Sequence, residues 1–476
     1  MDTERHSGNI VSGIFSARRS SVVVILWIYL TFAACASTNH HVVLITIDGL
    51  AAYYLTDAKA PIPTLRKLAA EGAVAEGMRV SNPAITWPNH TTLVTGVQPA
   101  KHSVLFNGVL TRPGAGKAVR VEPASVMSAL VAVPTLFDEL HRAGYRTAGI
   151  NWPCTRGATT LDDNFPDVPD QITHTTPRLR EELIAARILE STNDSSFRGQ
   201  SAPVKDQIWT AAATHVLRKR HPHFMAFHLL ITDSTQHKYG PKSPAAYTAI
   251  ALADAQVAEV LRTLDATGAR ERTTLIITAD HGFETALKIV NPNVAFRKAG
   301  LLTATTSAVP DIVAARAQIV SEGGIAMVYF TDPATQESDR PKVIELMRAQ
   351  EGVAEILTPE RFAALGLPDP AKHRQMSDLI LVASEGYAFN NEASGDDVVT
   401  EVTLATGNQG HHGYLSQLPK MNAAFIAWGR GIKSGARLGL IENIDVAPTI
   451  AALLGLKLSG ADGQVLSQML AADALR

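Results

Sequence analysis

Side chains of metal-binding type stand where apolar runs stop: Asp48, Asp233, His237, Asp280, His281 and His412. A mixed carboxylate and imidazole set suits zinc better than calcium or magnesium, which prefer all-oxygen shells. Asp233 and His237 are four residues apart, which places both on one helical turn or in a tight loop. Asp280-His281-Gly282 follows the apolar run 273–278, and Gly282 lets the backbone turn close beside a ligand. Singly, each has a bland reading, as a helix cap or a chance surface pair. Three acidic strand ends and three histidines in one predicted crevice point instead to a metal centre.

The segment from Ala84 to Gly96 (AITWPNHTTLVTG) adds a hydroxyl. With Pro88 at the first helical position, Thr86 lies at or just before a helix N-terminus, where free N–H groups and the dipole favour an anion. Its hydroxyl is either a helix cap or, beside a cation, a nucleophile ionised at neutral pH. Asn107, which precedes Gly108, is either a turn residue or an amide donor to a phosphoryl oxygen. The only cysteines are Cys35 and Cys154, so no disulfide framework is expected. Cys154 reads as a small buried thiol.

These residues need a scaffold that gathers strand ends. His41 to Ile47 is a continuous β-branched and apolar run, the signature of a strand buried on both faces. Helical periods follow at 63–72, 134–144, 205–220 and 245–264, alternating with strands at 145–151, 224–231 and 273–278. Such alternation predicts right-handed βαβ units, a mostly parallel sheet in an α/β fold, and a ligand site at the carboxyl ends of the strands. Between residues 285 and 389 the pattern changes to a strand at 326–330, a helix at 341–350 and a strand at 379–383. This predicts an inserted α+β cap, the main domain comprising 40–284 and 390–470 and closing with a strand at 424–428 and a helix at 446–454.

With 476 residues, 46% hydrophobic, the chain can bury a large core. Its 43 basic and 45 acidic residues leave a net charge of -2, without the footprint of a nucleic-acid binder. Residues 1–36 have the parts of an export signal: Arg18 and Arg19, an apolar run at 22–34, and small residues around Ala34-Cys35-Ala36. The run falls short of the roughly 20 residues a spanning helix needs. Ala33-Ala34-Cys35 also resembles a lipoprotein cleavage site, with Cys35 as the lipidated residue. The expected location is periplasmic or extracellular.

Taken together, the motifs resemble the alkaline phosphatase superfamily, and within it the nucleotide pyrophosphatase/phosphodiesterase family. They are ITIDGL at Asp48, TWPNHTTLVTG at Thr86, LFNG at Asn107, TDSTQHKYGP at Asp233 and His237, TADHGF at Asp280 and His281, GHHGY at His412, and the closing run from Gly429 to Leu456. The resemblance implies an alkaline-phosphatase-like three-layer sandwich and two zinc ions per chain. One zinc would be held by Asp233, His237 and His412, the other by Asp48, Asp280, His281 and the Thr86 oxygen. His412 is chosen over His411 because it directly precedes Gly413-Tyr414. It further implies hydrolysis through a phosphothreonine on Thr86, with Asn107 and the Thr86 N–H stabilising the equatorial charge.

In the superfamily this chain resembles, monoesterases usually add cationic side chains for the extra phosphoryl charge, in one branch a Lys and an Arg two residues apart. The corresponding stretch here, Asn151 to Arg156, lacks the Lys and resembles the Trp-Pro of diesterases, which favours diesters or pyrophosphates as substrates. Trp87, Phe106, Trp152 and Tyr239 are candidates for an aromatic pocket wall against a nucleobase or a lipid headgroup, each with core packing as its alternative role. A phosphonoacetate hydrolase or a phosphomonoesterase is the competing enzyme reading, the former kept open by Lys238, Lys288 and Lys298. A non-catalytic exported zinc-binding protein is the reading from another class.

Overall fold

A computed structural model of the chain describes residues 39–305, 311–405, 407–472 and 474; the expected signal segment and Cys35 lie outside them. The main-sheet strands are, in chain order, β1 (His41–Ile47), β2 (Ala73–Arg79), β3 (Thr147–Pro153), β4 (Asp163–Asp167), β5 (Phe224–Leu229) and β6 (Thr273–Thr278). Strands β7 (Ala317–Ser321), β8 (Ile325–Phe330), β9 (Val353–Leu357) and β10 (Leu379–Ala383) form a second sheet, and β11 (Phe425–Gly429) and β12 (Ala436–Glu442) return to the first. The order in the main sheet is β12-β2-β11-β6-β1-β5-β3-β4. Only β11 runs against both of its neighbours, so the sheet is mostly parallel, as the helix-strand alternation requires. All residues of β1, β3, β5 and β6 are buried, which explains their mainly apolar and β-branched sequences: helices cover both faces.

The helices that matter for the site are α1 (Pro63–Glu71), α2 (Thr86–Thr95), α3 (Leu136–Arg142), α4 (Ala202–Arg220), α5 (Ile231–Tyr239) and α6 (Pro244–Ala266). After them come α7 (Gln336–Arg348), which carries Pro341 inside it, and α8 (Val446–Leu453). Among the described residues no helix is long and apolar enough to cross a membrane. The second sheet buries Val320, Ile325, Met327, Tyr329 and Ile380 against Leu105, Phe106 and Leu110 of the main chain run. A small sheet joins Lys288–Val290 to Tyr387–Phe389 and Val399–Glu401, so hydrogen bonding continues across residue 389, where the sequence pattern placed the end of the insertion.

Candidate metal-binding active site

The site is assembled where the parallel strands end. Asp48 directly follows β1, Asp280 follows β6 by two residues, and β1 pairs with β6 in register from His41 and Thr273 onward, which sets the two carboxylates side by side. Helix α5 begins just after β5 and presents Asp233 and His237 one turn apart; of the two readings left open for their spacing, the structure adopts the helix. His412 arrives from far along the chain. Its neighbours Gly410–His411 pair antiparallel with Glu284–Thr285, bringing His412 against His281, where the rings stack 3.8 Å apart. Gly282 is required for a different contact than the sequence suggested: a Cβ there would strike the Lys420 carbonyl.

The ligand-type atoms fall into two groups, Asp48 with Asp280 and His281, and Asp233 with His281 and His412. His281 Nε2 is 3.3 Å from both Asp48 Oδ1 and Asp280 Oδ2, while Asp233 Oδ1 is 3.3 Å from His237 Nε2 and 3.6 Å from His412 Nε2. His281 thus sits geometrically in both groups, and His237 approaches through Asp233. Asp48 Oδ1, Asp233 Oδ1, Asp280 Oδ2 and His281 Nε2 are buried with no hydrogen-bond partner. Converging buried oxygen and nitrogen lone pairs without hydrogen-bond partners fit the ligand set of a cation.

The histidine tautomers fit the same conclusion. Nδ1–H of His237 donates to the Gly410 carbonyl at 2.9 Å, that of His412 to Ala84 at 3.1 Å, and that of His281 to Gly282 at 3.2 Å. Each Nε2 lone pair is left facing the carboxylates, the arrangement in which imidazole binds a metal. His411 instead directs Nε2 to the Asn408 carbonyl at 3.2 Å. Burial, then the charges of Asp280 and Asp233, pushes the Asp48 carboxyl well above its usual range, and burial also raises Asp280. Burial opposes ionisation of Asp233 too, but the imidazoles of His237, His412 and His281 outweigh it and hold that carboxyl low. Burial keeps His281 neutral, lowering it to about 4. Three carboxylates this close stay ionised together only with a compensating positive charge; without one, Asp48 and Asp280 are driven toward their protonated forms.

Thr86 is the first residue of α2, whose remaining residues are all buried while Thr86 is half-exposed. Pro88 is therefore at the third helical position, not the first, and the flanking residue is Ile85, which makes no side-chain cap. The Thr86 hydroxyl has no capping duty. Asn107 is exposed beside it, its Oδ1 accepting the Trp87 backbone N–H at 2.9 Å. Three residues that sequence reasoning missed, His90, Thr46 and His228, support this turn. His90 Nδ1–H donates to the Thr86 carbonyl at 2.8 Å, and Thr46 Oγ1 bridges His90 Nε2 at 2.8 Å and His228 Nδ1 at 3.0 Å. His228 Nε2 in turn lies 3.3 Å from Asp48 Oδ2. The signal was present in the alternation of β1 and β5, where Thr46 and His228 are polar interruptions of apolar strands.

The remaining candidates divide. Phe106 and Trp152 are fully buried, Phe106 in the core beneath the second sheet and Trp152 edge-on to the His90 ring at 4.7 Å. Their place is behind the site, as packing. Trp87 is nearly buried and its indole N–H donates to Asp167 at 3.0 Å. Tyr239, 39% exposed, ends α5 with the Lys238 ammonium 5.5 Å from its ring. Lys288 pairs with Glu351 at 2.8 Å and Lys298 bonds the Asp396 carbonyl, so neither is directed at the carboxylates. Arg156 bonds the Ala124 carbonyl and Cys154 is a buried thiol, pushed by burial to about 12.

A family model for type I phosphodiesterase / nucleotide pyrophosphatase matches residues 42–415. The chain belongs to this family. Among curated members, it is 22% identical over 419 residues to a venom phosphodiesterase of Macrovipera lebetinus, covering 87% of this chain and 43% of that one. It is 24% identical over 425 residues to the bis(5'-adenosyl)-triphosphatase of Bos taurus, covering 87% and 78%. The chain thus spans less than half the length of several phosphodiesterase family members that it matches. Of solved structures, human ectonucleotide pyrophosphatase/phosphodiesterase 5 superposes with a TM-score of 0.65 at 17% identity, covering 89% of this chain and 97% of that one. The murine protein, as an inactive variant in complex with AMP, superposes with a TM-score of 0.67 at 16% identity over 91% and 100%. The type I phosphodiesterase family thus shares this chain's alkaline-phosphatase-like sheet and helix arrangement.

Proposed function

We propose that this chain is an exported, zinc-dependent phosphodiesterase or nucleotide pyrophosphatase that cleaves a phosphodiester or pyrophosphate bond through a phosphothreonine on Thr86. The observation that carries the reading is the set of partnerless buried atoms on Asp48, Asp233, Asp280 and His281 beside a helix start whose only half-exposed residue is Thr86. Asp233, His237 and His412 would hold one ion, and Asp48, Asp280 and His281 with the Thr86 oxygen the other. Two such ions would supply positive charge for ionising the Thr86 hydroxyl and for stabilising the leaving oxygen. The chain's own residues do the rest. The first turn of α2 aims the hydroxyl, the Asn107 amide donates to an equatorial phosphoryl oxygen, and the neutral histidines keep their lone pairs inward. Small nucleotide, phosphodiester or lipid-headgroup esters are the substrates this supports, and residues 1–36 would direct export.

Lys288 and Lys298 are committed elsewhere, which leaves Lys238, 5.5 Å from the Tyr239 ring, as the one of the three lysines still supporting the phosphonoacetate reading. The test is to strip metal with chelator, restore zinc and assay bis(p-nitrophenyl) phosphate, p-nitrophenyl phosphate and phosphonoacetate with wild type and Thr86→Ala. Zinc-restored diester turnover in wild type alone is expected. Turnover by Thr86→Ala at the wild-type rate, with zinc bound, would sink the proposal.

A further inference from the structure

His412 reaches the carboxylates on a stretch of chain that crosses the second sheet at close range. The turn between β7 and β8, Glu322-Gly323-Gly324, lies directly against His412-Gly413-Tyr414. A Cβ on Gly413 would strike the Glu322 carbonyl, one on Gly323 the His412 carbonyl, and one on Gly324 the Tyr414 ring. The two backbones approach this closely because the crossing is made of glycine.

Hydrogen bonds tie the turn to both partners. Glu322 N–H donates to the Ile325 carbonyl at 2.9 Å and Gly323 N–H to Ser321 Oγ at 3.1 Å, while the Gly323 and Gly324 carbonyls accept from Phe389 at 2.7 Å and Ala383 at 3.0 Å. These bonds keep the turn within its own sheet and its neighbours. The remaining donor, Gly324 N–H, goes instead to the His412 carbonyl at 2.9 Å. From the run that precedes α2, the Ala84 carbonyl accepts His412 Nδ1–H at 3.1 Å and Gly413 N–H at 2.9 Å. Tyr414 O–H donates to the Tyr387 carbonyl at 2.7 Å.

The three members of this metal group differ in what places them. Asp233 and His237 share one turn of α5 and are set by that helix. His412 lies in no helix and follows a strand of only two residues, Gly410–His411. Its ring stands 3.8 Å from that of His281, with Nε2 3.6 Å from Asp233 Oδ1, and its backbone contacts decide that position. Gly324 N–H is the contact that the second sheet contributes.

We propose that Gly323 and Gly324 are positioning residues of the metal centre: their turn fixes the His412 backbone so that its imidazole completes the group with Asp233 and His237, which couples docking of the second sheet to ion binding there. This rests on the two-ion reading above. The coupling is reciprocal, so ion binding at that group also tightens the turn.

The full chain is stripped with chelator, and zinc affinity is measured by competition with a chromophoric chelator. Cobalt(II) in place of zinc reports the ligand geometry by its visible absorption. Gly324→Ala is expected to weaken one of the two zinc sites about 10–100-fold, the usual cost of losing a group that orients a ligand, and to change the cobalt spectrum, with the other site unaltered. Met327→Ala is the control, because Met327 lies in the middle of β8, fully buried among the side chains that pack on Phe106. It should lower Tm and leave both affinities as in wild type. In wild type, zinc should slow hydrogen exchange of the Gly324 amide by roughly tenfold or more, the reciprocal of the same coupling. Wild-type affinities and spectrum in Gly324→Ala, or an equal loss in Met327→Ala, would overturn the inference. Should Gly324→Ala not fold, exchange in wild type decides, and a Gly324 amide that two bound zinc ions leave unprotected overturns it. Wild type that takes up fewer than two zinc ions sinks the two-ion reading and this inference with it; two bound ions with an insensitive turn sink this inference alone.

Discussion

The backbone N–H of Trp87 donates to the Asn107 carboxamide oxygen at 2.9 Å, and this single bond fixes which end of the amide faces the cleft. With Oδ1 occupied, the Nδ2 hydrogens are the free donors beside Thr86. Phe106, buried beneath the second sheet, holds the segment in place. Asn107→Asp keeps the acceptor for Trp87 while setting a negative charge against the phosphoryl oxygen. We expect it to lower kcat on bis(p-nitrophenyl) phosphate by more than the ~100-fold loss typical of removing one such donor, the loss expected for Asn107→Ala. Equal rates for both variants and wild type would remove Asn107 from the chemistry.

Metal removal should destabilise the fold, because three buried carboxylates then face one another. Chelator is expected to lower Tm by several degrees and zinc to restore it, read by differential scanning fluorimetry. Asp48→Asn relieves part of the repulsion that pushes Asp48 upward after burial itself. The metal-free variant should therefore be more stable than metal-free wild type by roughly 1 kcal/mol, and zinc should raise its Tm less.

His90 grips the Thr86 carbonyl and is linked through Thr46 to His228 behind Asp48. His90→Leu is expected to reduce kcat by about 10–100-fold, the usual cost of losing an outer-shell partner, with KM changed far less. A matching rise in KM with kcat intact would assign His90 to substrate binding instead.

Asp206, fully buried on α4, accepts the backbone N–H groups of Leu230 at 2.9 Å and Ile231 at 3.0 Å where α5 begins. Asp206→Ala leaves both donors unpaired and should cost about 2–4 kcal/mol in urea unfolding. Because α5 carries Asp233 and His237, the same variant should bind zinc more weakly.

Burial lowers His102 to about 3 and His41 to about 4, from an ordinary 6.5. Below pH 6.5 the unfolded chain takes up protons that these folded-state imidazoles refuse, so stability is present above that pH and lost as pH falls toward 4. Each histidine contributes a slope of about 1.4 kcal/mol per pH unit across that window. His102→Gln, which removes a buried ring bonded to Thr92 Oγ1 at 3.0 Å, should flatten the acid side of the stability curve. An unchanged slope would show that His102 titrates normally.

By itself, the sequence determined the parallel sheet, because strands buried on both faces must be mainly apolar or β-branched, as β1, β5 and β6 are. It also determined the identity of the metal-type side chains, since Asp48, Asp233 and Asp280 stand at strand ends that such a sheet gathers on one edge. The limits of β6 and β10 were legible to the residue, whereas α7 begins five residues before Pro341, where a proline was expected to open it. What only the tertiary structure decided is the company each residue keeps. That His281 serves both groups, that Phe106 and Trp152 pack inward, and that Thr46, His90 and His228 form one buried chain all depend on contacts between residues far apart in sequence. Local spacing carries no information about such contacts. They follow from which strands pair and in what register, and that is settled by packing of the whole sheet.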